Sequence, residues 1–308
     1  MSKDEEGVSL VENTATEEEQ GVSPSRRAPL DCRLRFSVII PAYNEAGFIG
    51  ACLDSLLLQD FTDPYEIIVV DNNSTDDTAL IAESRGVIVV REERQGVCWA
   101  RQRGTELAAG EIIVSTDADT LYRSDWLSRI DREFRSDRTR IAVAGPFLFL
   151  DAPWWGKAWT RGLFGYVRVV SRVVKRVPYI AAANVAFLKS AWTGYNTHAT
   201  QGGDELDLLR NLQARGTVAY VPDNAVFTSS RRLAQGLIYN ILVALFYYYV
   251  IGYMMNRLAS RPVIGMAPAF RSAEPRRARR WRLLLAGGFL IFSLSFGEFV
   301  VRHVYWRG

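Results

Sequence analysis

Cysteine and histidine are scarce: the 308 residues hold three Cys and two His. Three Cys are too few for a disulfide scaffold. Cys32, Cys52 and Cys98 show no CxxC spacing, which argues against zinc and dithiol chemistry. Reduced thiols in a cytosolic domain are the simpler expectation. His198 and His303 each stand alone, as structural His residues usually do. Only His198, six residues before Asp204, is placed to serve a site as a metal or supporting group. A GxxxxGK[ST] phosphate loop, a GxGxxG fingerprint and a GxSxG elbow are all missing, which argues against ATPase, dehydrogenase and hydrolase classes. No internal repeat is evident. A composition of 48% hydrophobic and 23% charged residues excludes a wholly disordered chain, a collagen and a coiled coil.

What is present is unevenly charged. The net charge of +3 combines a net of −5 in residues 1–31, −2 in 32–230 and +10 in 231–308. The first stretch, rich in Glu, Ser, Thr and Pro, cannot bury enough apolar area to offset its ordering entropy. Residues 1–33 are therefore expected to be a disordered acidic tail, with no apolar core of signal-peptide type.

From Phe36 the pattern is that of a folded α/β domain, expected to span 34–232. FSVII (36–40), EIIVV (66–70), VIVV (87–90) and EIIVS (111–115) read as strands. Between them, Phe48, Ile49, Cys52, Leu53, Leu56 and Leu57 fall at helical spacing, and a second helix is expected over 97–109. Alternating strands and helices predict a mostly parallel sheet covered on both faces. Ligands of such sheets sit beyond the carboxyl ends of the strands. Polar clusters at 41–45, 71–77 and 117–120 fall there. Further on, 141–150, 179–188 and 217–221 read as strands, and 204–215 as a helix.

Three motifs can carry chemistry. In DAD (117–119), an extended backbone would point the carboxylates of Asp117 and Asp119 the same way. Two hard oxygen ligands suit Mg²⁺ or Mn²⁺ with positions left open for phosphate oxygens. In DNNSTDDT (71–78), Asp71 and Asn72 can meet a nucleobase edge and a ribose, while Ser74, Thr75 and Asp76 suit helix capping. In GGDELDLLRNLQARG (202–216), Asp204 and Glu205 open a helix whose apolar face is Leu206, Leu208, Leu209 and Leu212. Either acid can act as a general base from such a corner, and Asp204 can equally be an N-cap.

These motifs, in order, resemble the family 2 glycosyltransferases: SVIIPAYNE, VVDNNSTDDT, STDADT with DWL, and GGDELDLLRNLQARG followed by FTSSRR. The likeness runs from about Phe36 to Arg232 and implies the GT-A fold, a Rossmann-like, mostly parallel sheet flanked by helices. It implies inverting transfer of a sugar from a nucleotide-diphosphate donor, with Mn²⁺ or Mg²⁺. Carried over, Ala42, Tyr43, Glu45, Asp71, Asn72, Arg101 and Asp117 would bind the nucleotide sugar. Asp119 and Asp117 would hold the metal, and Glu205 or Asp204 would be the base. Four positions depart from the family's pattern: Asn72 stands where many members carry Asp, Gln102 stands where Asn is common, and the usual Glu-Asp pair is inverted to Asp204-Glu205. A nucleotidyltransferase and a catalytically inactive membrane scaffold are the competing classes. The position after the first strand reads PAYNEAG rather than a Gly-rich phosphate loop, which disfavours the former.

Residues 233–308 are expected to attach the domain to a membrane through two apolar helices. No charge occurs from Leu233 to Asn256, and only Glu298 from Leu283 to Val301. The intervening 257–282 carries +7 and should face the cytoplasm, as should the catalytic domain. Both demands are met if 236–256 lies in-plane or re-entrant rather than spanning. Residues 154–176 combine Arg161, Arg168, Arg172, Lys175 and Arg176 with Trp159, Leu163, Val167, Val170 and Val174 on another face. That is the pattern of an interfacial helix beside anionic lipid, or of a helix covering an acceptor cleft. The expected partners are a donor nucleotide sugar, a lipid-linked or polyprenyl-phosphate acceptor and membrane lipid. Nucleic acid is not expected.

Overall fold

A computed structural model describes residues 33–197 and 203–240, with single positions beyond. His198, the side chain of Asp204, residues 1–32 and most of 241–308, including both expected apolar helices past Asn240, lie outside the described residues. Among the described residues no helix is long and apolar enough to cross a membrane.

The chain runs β1 (Phe36–Ala42), α1 (Ile49–Leu57), β2 (Tyr65–Asp71), α2 (Thr78–Glu83), β3 (Ile88–Arg91), α3 (Val97–Leu107) and β4 (Ile112–Ser115). It continues as β5 (Thr120–Leu121), α4 (Trp126–Ser136), β6 (Arg140–Ala144), β7 (Phe147–Phe149), α5 (Trp154–Val173) and β8 (Val185–Leu188). Last come α6 (Gly203–Gln213), β9 (Thr217–Tyr220), β10 (Val226–Thr228), a 3-10 turn (Arg231–Gln235) and α7 (Leu237–Tyr239).

Seven strands form one sheet in the order β3-β2-β1-β4-β8-β6-β9. β1, β2, β3 and β4 are parallel, so their carboxyl ends share one edge. β8 is antiparallel to both β4 and β6. The chain winds outward through β2 and β3, then returns to place β4 on the other side of β1. This is a topological switch point, where a crevice opens between strand ends.

The inner strands of the sheet are buried on both faces, which is why β1, β2 and β4 are largely continuous apolar runs. Side chains alternate between two layers. Val38, Ile40, Ile67, Val69, Ile112 and Val114 pack with Leu53 of α1 and with Trp126 and Ile130 of α4. Ile39, Ile68, Val70 and Ile113 pack with Ala100 of α3, Phe164 of α5 and Leu208 of α6. Each such large side chain contributes roughly 1.5–3 kcal/mol by leaving water. Gly104 lets α3 lie close to the sheet: a Cβ there would stand 2.5 Å from Ile39 Cγ2.

Several expectations change. The run 141–150 is two strands in different sheets, because Gly145 and Pro146 end β6 before β7 joins β5 and β10 in a small second sheet. A Cβ at Gly145 would meet Asn184 Nδ2 and the Asn224 carbonyl at 2.5 Å, so the chain turns there against its neighbours. Only 185–188 of the expected strand 179–188 is extended, preceded by a 3-10 turn over Ala182–Asn184. On α5, Val167 is buried and Leu163 and Val170 are half-buried, so three of the five apolar side chains assigned to the membrane face belong to the core side. The apolar stripe left exposed is Trp159, Tyr166, Val169 and Val173, and the exposed Lys157, Arg161, Arg168 and Arg172 form a separate stripe. α5 therefore covers the core and also presents an amphipathic outer surface.

Candidate active site

Three loops meet at the carboxyl edge of β1, β2 and β4. The loop after β1 carries Tyr43, Asn44 and Glu45, and the loop after β2 carries Asn72 to Asp77. Asn44 sits at φ 52°, in the left-handed region that Asn tolerates. This turns its side chain toward the second loop, where Oδ1 accepts from the Thr75 backbone N–H at 2.7 Å. The Asn44 N–H donates to Ser74 Oγ at 2.9 Å, and the Glu45 N–H to Thr78 Oγ1 at 2.7 Å. Ser74 and Thr75 thus join loops rather than cap α2. Asp76 does both, accepting from the Ala46 N–H at 3.2 Å and the Thr78 N–H at 3.1 Å. Burial works to raise the Asp76 pKa, but its hydrogen bonds outweigh that and hold it below the ordinary value.

Ala42, Asp71 and Asn72 lie at the floor of the crevice and are buried. Asp71 Oδ1 accepts from the Ser74 N–H at 3.1 Å. The Asn72 amide, expected to meet a nucleobase, is engaged within the protein. Its Nδ2 donates to the carbonyls of Glu92 and Arg94, both at 2.8 Å, and its Oδ1 accepts from the Gly96 N–H at 2.7 Å. An amide supplies the two donors and the acceptor that these bonds use, whereas an ionised carboxylate has no donor, which gives a physical reason for Asn rather than Asp at this position. The loop it pins carries Glu92, whose carboxylate accepts from Arg94 Nε and Nη2 at 2.8 Å each. The Arg94 guanidinium in turn lies over Trp99, 3.8 Å from the ring centroid.

The third loop carries DAD, and here the extended geometry expected for 117–119 is replaced by a turn: the Thr120 N–H donates to the Asp117 carbonyl at 3.3 Å. Ala118 is buried in the core, and the two carboxylates pair with different arginines. Asp117 Oδ1 accepts from Arg101 Nη2 of α3 at 2.8 Å. Asp119 Oδ2 pairs with Arg231 Nη2 at 2.9 Å, and its Oδ1 accepts from Thr228 Oγ1 at 3.3 Å. Arg231 also clamps Glu45, with Nη1 and Nη2 each 2.6 Å from a carboxylate oxygen. Burial acts to lower the Arg231 pKa, but the Glu45 hydrogen bonds and the Asp119 charge leave it above the ordinary value. Below the turn lies Cys52, whose thiol is pushed far above its usual range by burial and then by the charges of Asp119 and Asp117. Cys52 and Cys98 are both buried.

Glu205 Oε1 accepts from the Ala182 N–H at 2.9 Å, and Tyr179 Oη donates to its Oε2 at 3.4 Å. Ala182 lies three residues before Val185, which pairs with Ser115, two residues before Asp117. The antiparallel β4–β8 register therefore brings Glu205 to the same edge of the sheet as DAD. Beneath this edge, the buried Asn184 accepts from Trp126 Nε1 at 3.0 Å and donates to the carbonyls of Pro146 and Asn224 at 2.9 and 2.8 Å.

Two carboxylates on one turn suit Mg²⁺ or Mn²⁺ completing its shell with phosphate and water oxygens. The Asp119 carboxylate already binds a positive group, the Arg231 guanidinium, so the donor set fits a cation. Among the described residues no group of three or more His, Cys, Asp or Glu side chains is arranged to hold a metal. Arg231 was not assigned to the site from the sequence; its signal was FTSSRR, two arginines directly after a short β-like run.

The sheet order, its switch point and the acids along one edge define an α/β domain of the GT-A type. A mannosyltransferase from Pyrobaculum calidifontis, solved with GDP-Man and Mn²⁺, superposes with a TM-score of 0.57 at 23% identity, over 91% of this chain and 86% of that one. S. aureus TarS 1-349 with UDP-GlcNAc superposes with a TM-score of 0.52 at 20% identity, over 64% and 59%. At such identities the likeness is one of fold. Residues 37–187 match the Glycosyl transferase family 2 model, and this segment is a family 2 glycosyltransferase domain. A PGL/p-HBAD biosynthesis glycosyltransferase of Mycobacterium tuberculosis is 40% identical over 102 residues, 31% of this chain and 40% of that protein. Glycosyltransferase AglE of Haloferax volcanii is 39% identical over 100 residues, 30% and 33% of the two. The chain thus spans well under half the length of the curated relatives it matches.

Proposed function

We propose that this protein is an inverting, divalent-metal-dependent glycosyltransferase that moves a sugar from a nucleotide diphosphate to a lipid-linked or polyprenyl-phosphate acceptor at a membrane, its catalytic domain facing the cytoplasm. The observation that carries the reading is the joining of Glu45, Asp117 and Asp119 to Arg101 and Arg231 at the switch point of a family 2 domain. That crevice is where an α/β sheet binds a nucleotide.

In this reading Ala42, Tyr43 and Asp71 line the nucleoside pocket, and Asn72 shapes it by fixing the 92–96 loop. Asp119 and Asp117 would hold the cation, which when bound neutralises charge developing on the diphosphate leaving group. Arg101 keeps the Asp117 carboxylate oriented. Glu205, or Asp204, takes the proton of a hydroxyl acceptor; a phosphate acceptor needs no base. The exposed apolar and cationic stripes of α5 support a role beside anionic lipid, and the apolar stretches of 233–308 support membrane attachment.

The test is a donor screen for released UDP or GDP with membrane lipid extract as acceptor. Wild type should release one of the two and lose that activity in EDTA, and Asp119→Ala should abolish it. Full activity in EDTA would refute the metal role. Absence of nucleotide-diphosphate binding would favour a scaffold.

A further inference from the structure

Arg231 shares one positive charge between two acids. Its bidentate pair with Glu45 uses Nη1 and Nη2 at 2.6 Å, and the same Nη2 lies 2.9 Å from Asp119 Oδ2. The three side chains are only 14%, 11% and 14% exposed, for Arg231, Glu45 and Asp119. The guanidinium also rests on Phe48, 4.7 Å from the ring centroid. Arg231 also lines a pocket of about 350 Å³, together with Phe48, Ser229, Ser230 and Leu233. Arg231 is thus fixed by Glu45 through both terminal nitrogens, while Nη2 also contacts Asp119, the acid assigned to the cation.

A divalent cation binds carboxylate oxygen at about 2.1 Å. A guanidinium nitrogen already on Asp119 Oδ2 competes for that oxygen and repels the incoming charge. We infer that Arg231 is a positioning residue that occupies Asp119 as a resident cation in the metal-free protein. A divalent ion displaces it from Asp119, and Arg231, still anchored by Glu45 through Nη1 and one N–H of Nη2, offers the second N–H of Nη2 to the donor diphosphate. The exchange couples the two ligands: releasing Arg231 from Asp119 costs least when phosphate oxygens receive it. Metal therefore binds weakly alone and strongly with nucleotide, and by linkage nucleotide binds strongly only with metal. This inference rests on the reading of Asp119 as a cation seat and of a nucleotide diphosphate as donor.

The experiment uses the full chain in detergent, with Mn²⁺ binding followed by electron paramagnetic resonance and UDP or GDP binding by calorimetry. Arg231→Gln is expected to bind Mn²⁺ alone about tenfold more tightly than wild type. It should bind the nucleotide diphosphate in saturating Mn²⁺ about tenfold more weakly, a change of sign that loss of a merely structural clamp does not produce. Arg231→Lys keeps the charge but not the fork; its Mn²⁺ affinity without nucleotide should stay near wild type while nucleotide binding weakens. Should Arg231→Gln not fold, Arg231→Lys decides: tighter Mn²⁺ binding alone, or unweakened nucleotide binding, overturns the inference. Unchanged or weaker Mn²⁺ binding by a folded Arg231→Gln overturns it equally. Wild type that binds neither UDP nor GDP with Mn²⁺ instead overturns the functional reading beneath it.

Discussion

Arg101 in α3 holds Asp117 at 2.8 Å, a buried guanidinium fixing a carboxylate that is itself 38% exposed. The arginine is set by core packing and the acid faces the crevice, so the pair transfers the rigidity of α3 to the edge where the donor should bind. Arg101→Gln removes the charged donor but keeps most of the volume. Melting experiments should show a loss of roughly 1.5–3 kcal/mol, the scale of a hydrogen bond to a charged group, and calorimetry should show weaker UDP or GDP binding in Mn²⁺. Unchanged values in both would mean that the pair orients nothing.

Asn72→Asp tests why this chain departs from the acidic residue common in its family. The new carboxylate would face the carbonyls of Glu92 and Arg94, which now receive hydrogen bonds. Acceptors without donors in a buried position cost about 1–3 kcal/mol. Hydrogen exchange of 92–96 should accelerate, and the melting temperature should fall. A variant as stable as wild type with an equally protected loop would contradict the assigned role.

Stability should decline in acid. Hydrogen bonds from Arg94 hold the Glu92 carboxylate below its ordinary 4.5, and those from Arg123 hold Asp125 below 3.8. A depressed folded value means stability that is complete above the unfolded value and is lost as pH falls through the folded one. Melting temperature should therefore drop below about pH 4.5, and Glu92→Gln, which cannot titrate, should show a shallower drop. An identical acid limb would remove Glu92 from that account.

The outer face of α5 gives a prediction about lipid. A polarity-sensitive probe on Val169→Cys, in a Cys32→Ser background, should label cleanly because Cys52 and Cys98 are buried. Its emission should shift to the blue on vesicles containing anionic lipid and be quenched by brominated chains, and added salt should weaken both effects. A probe indifferent to vesicles would place α5 away from the bilayer.

Much of the donor half was legible in the chain because its signals are local. FSVII and EIIVV contain three and four successive β-branched residues, and the 48–57 stretch carries Ile49, Cys52, Leu53 and Leu56 on one buried helical face. Each lies within a few residues of the polar cluster that follows it. Legibility fell where partners are distant. The strand pairing of Thr120–Leu121 and Val226–Thr228 was missed, because short strands in a small sheet carry little periodicity. Of the five apolar residues that the sequence pattern groups on one face of 154–176, Leu163, Val167 and Val170 lie on the core side, whereas Trp159 and Val174 are exposed. Periodicity finds stripes on a helix, but it does not say which stripe meets the protein.

By itself the sequence determined the parallel sheet, the three strand-end clusters and the order of the motifs, because strand propensity, turn chemistry and burial period act over neighbouring residues. The tertiary structure decided the pairings. Arg231 reaches Glu45 across 186 positions, Arg101 takes Asp117, and Asn72 turns inward to hold a loop. Those choices depend on which side chains the β1–β4 switch point and the β10 return bring within about 3 Å, a distance at which charge and hydrogen bonding act and which no local pattern encodes.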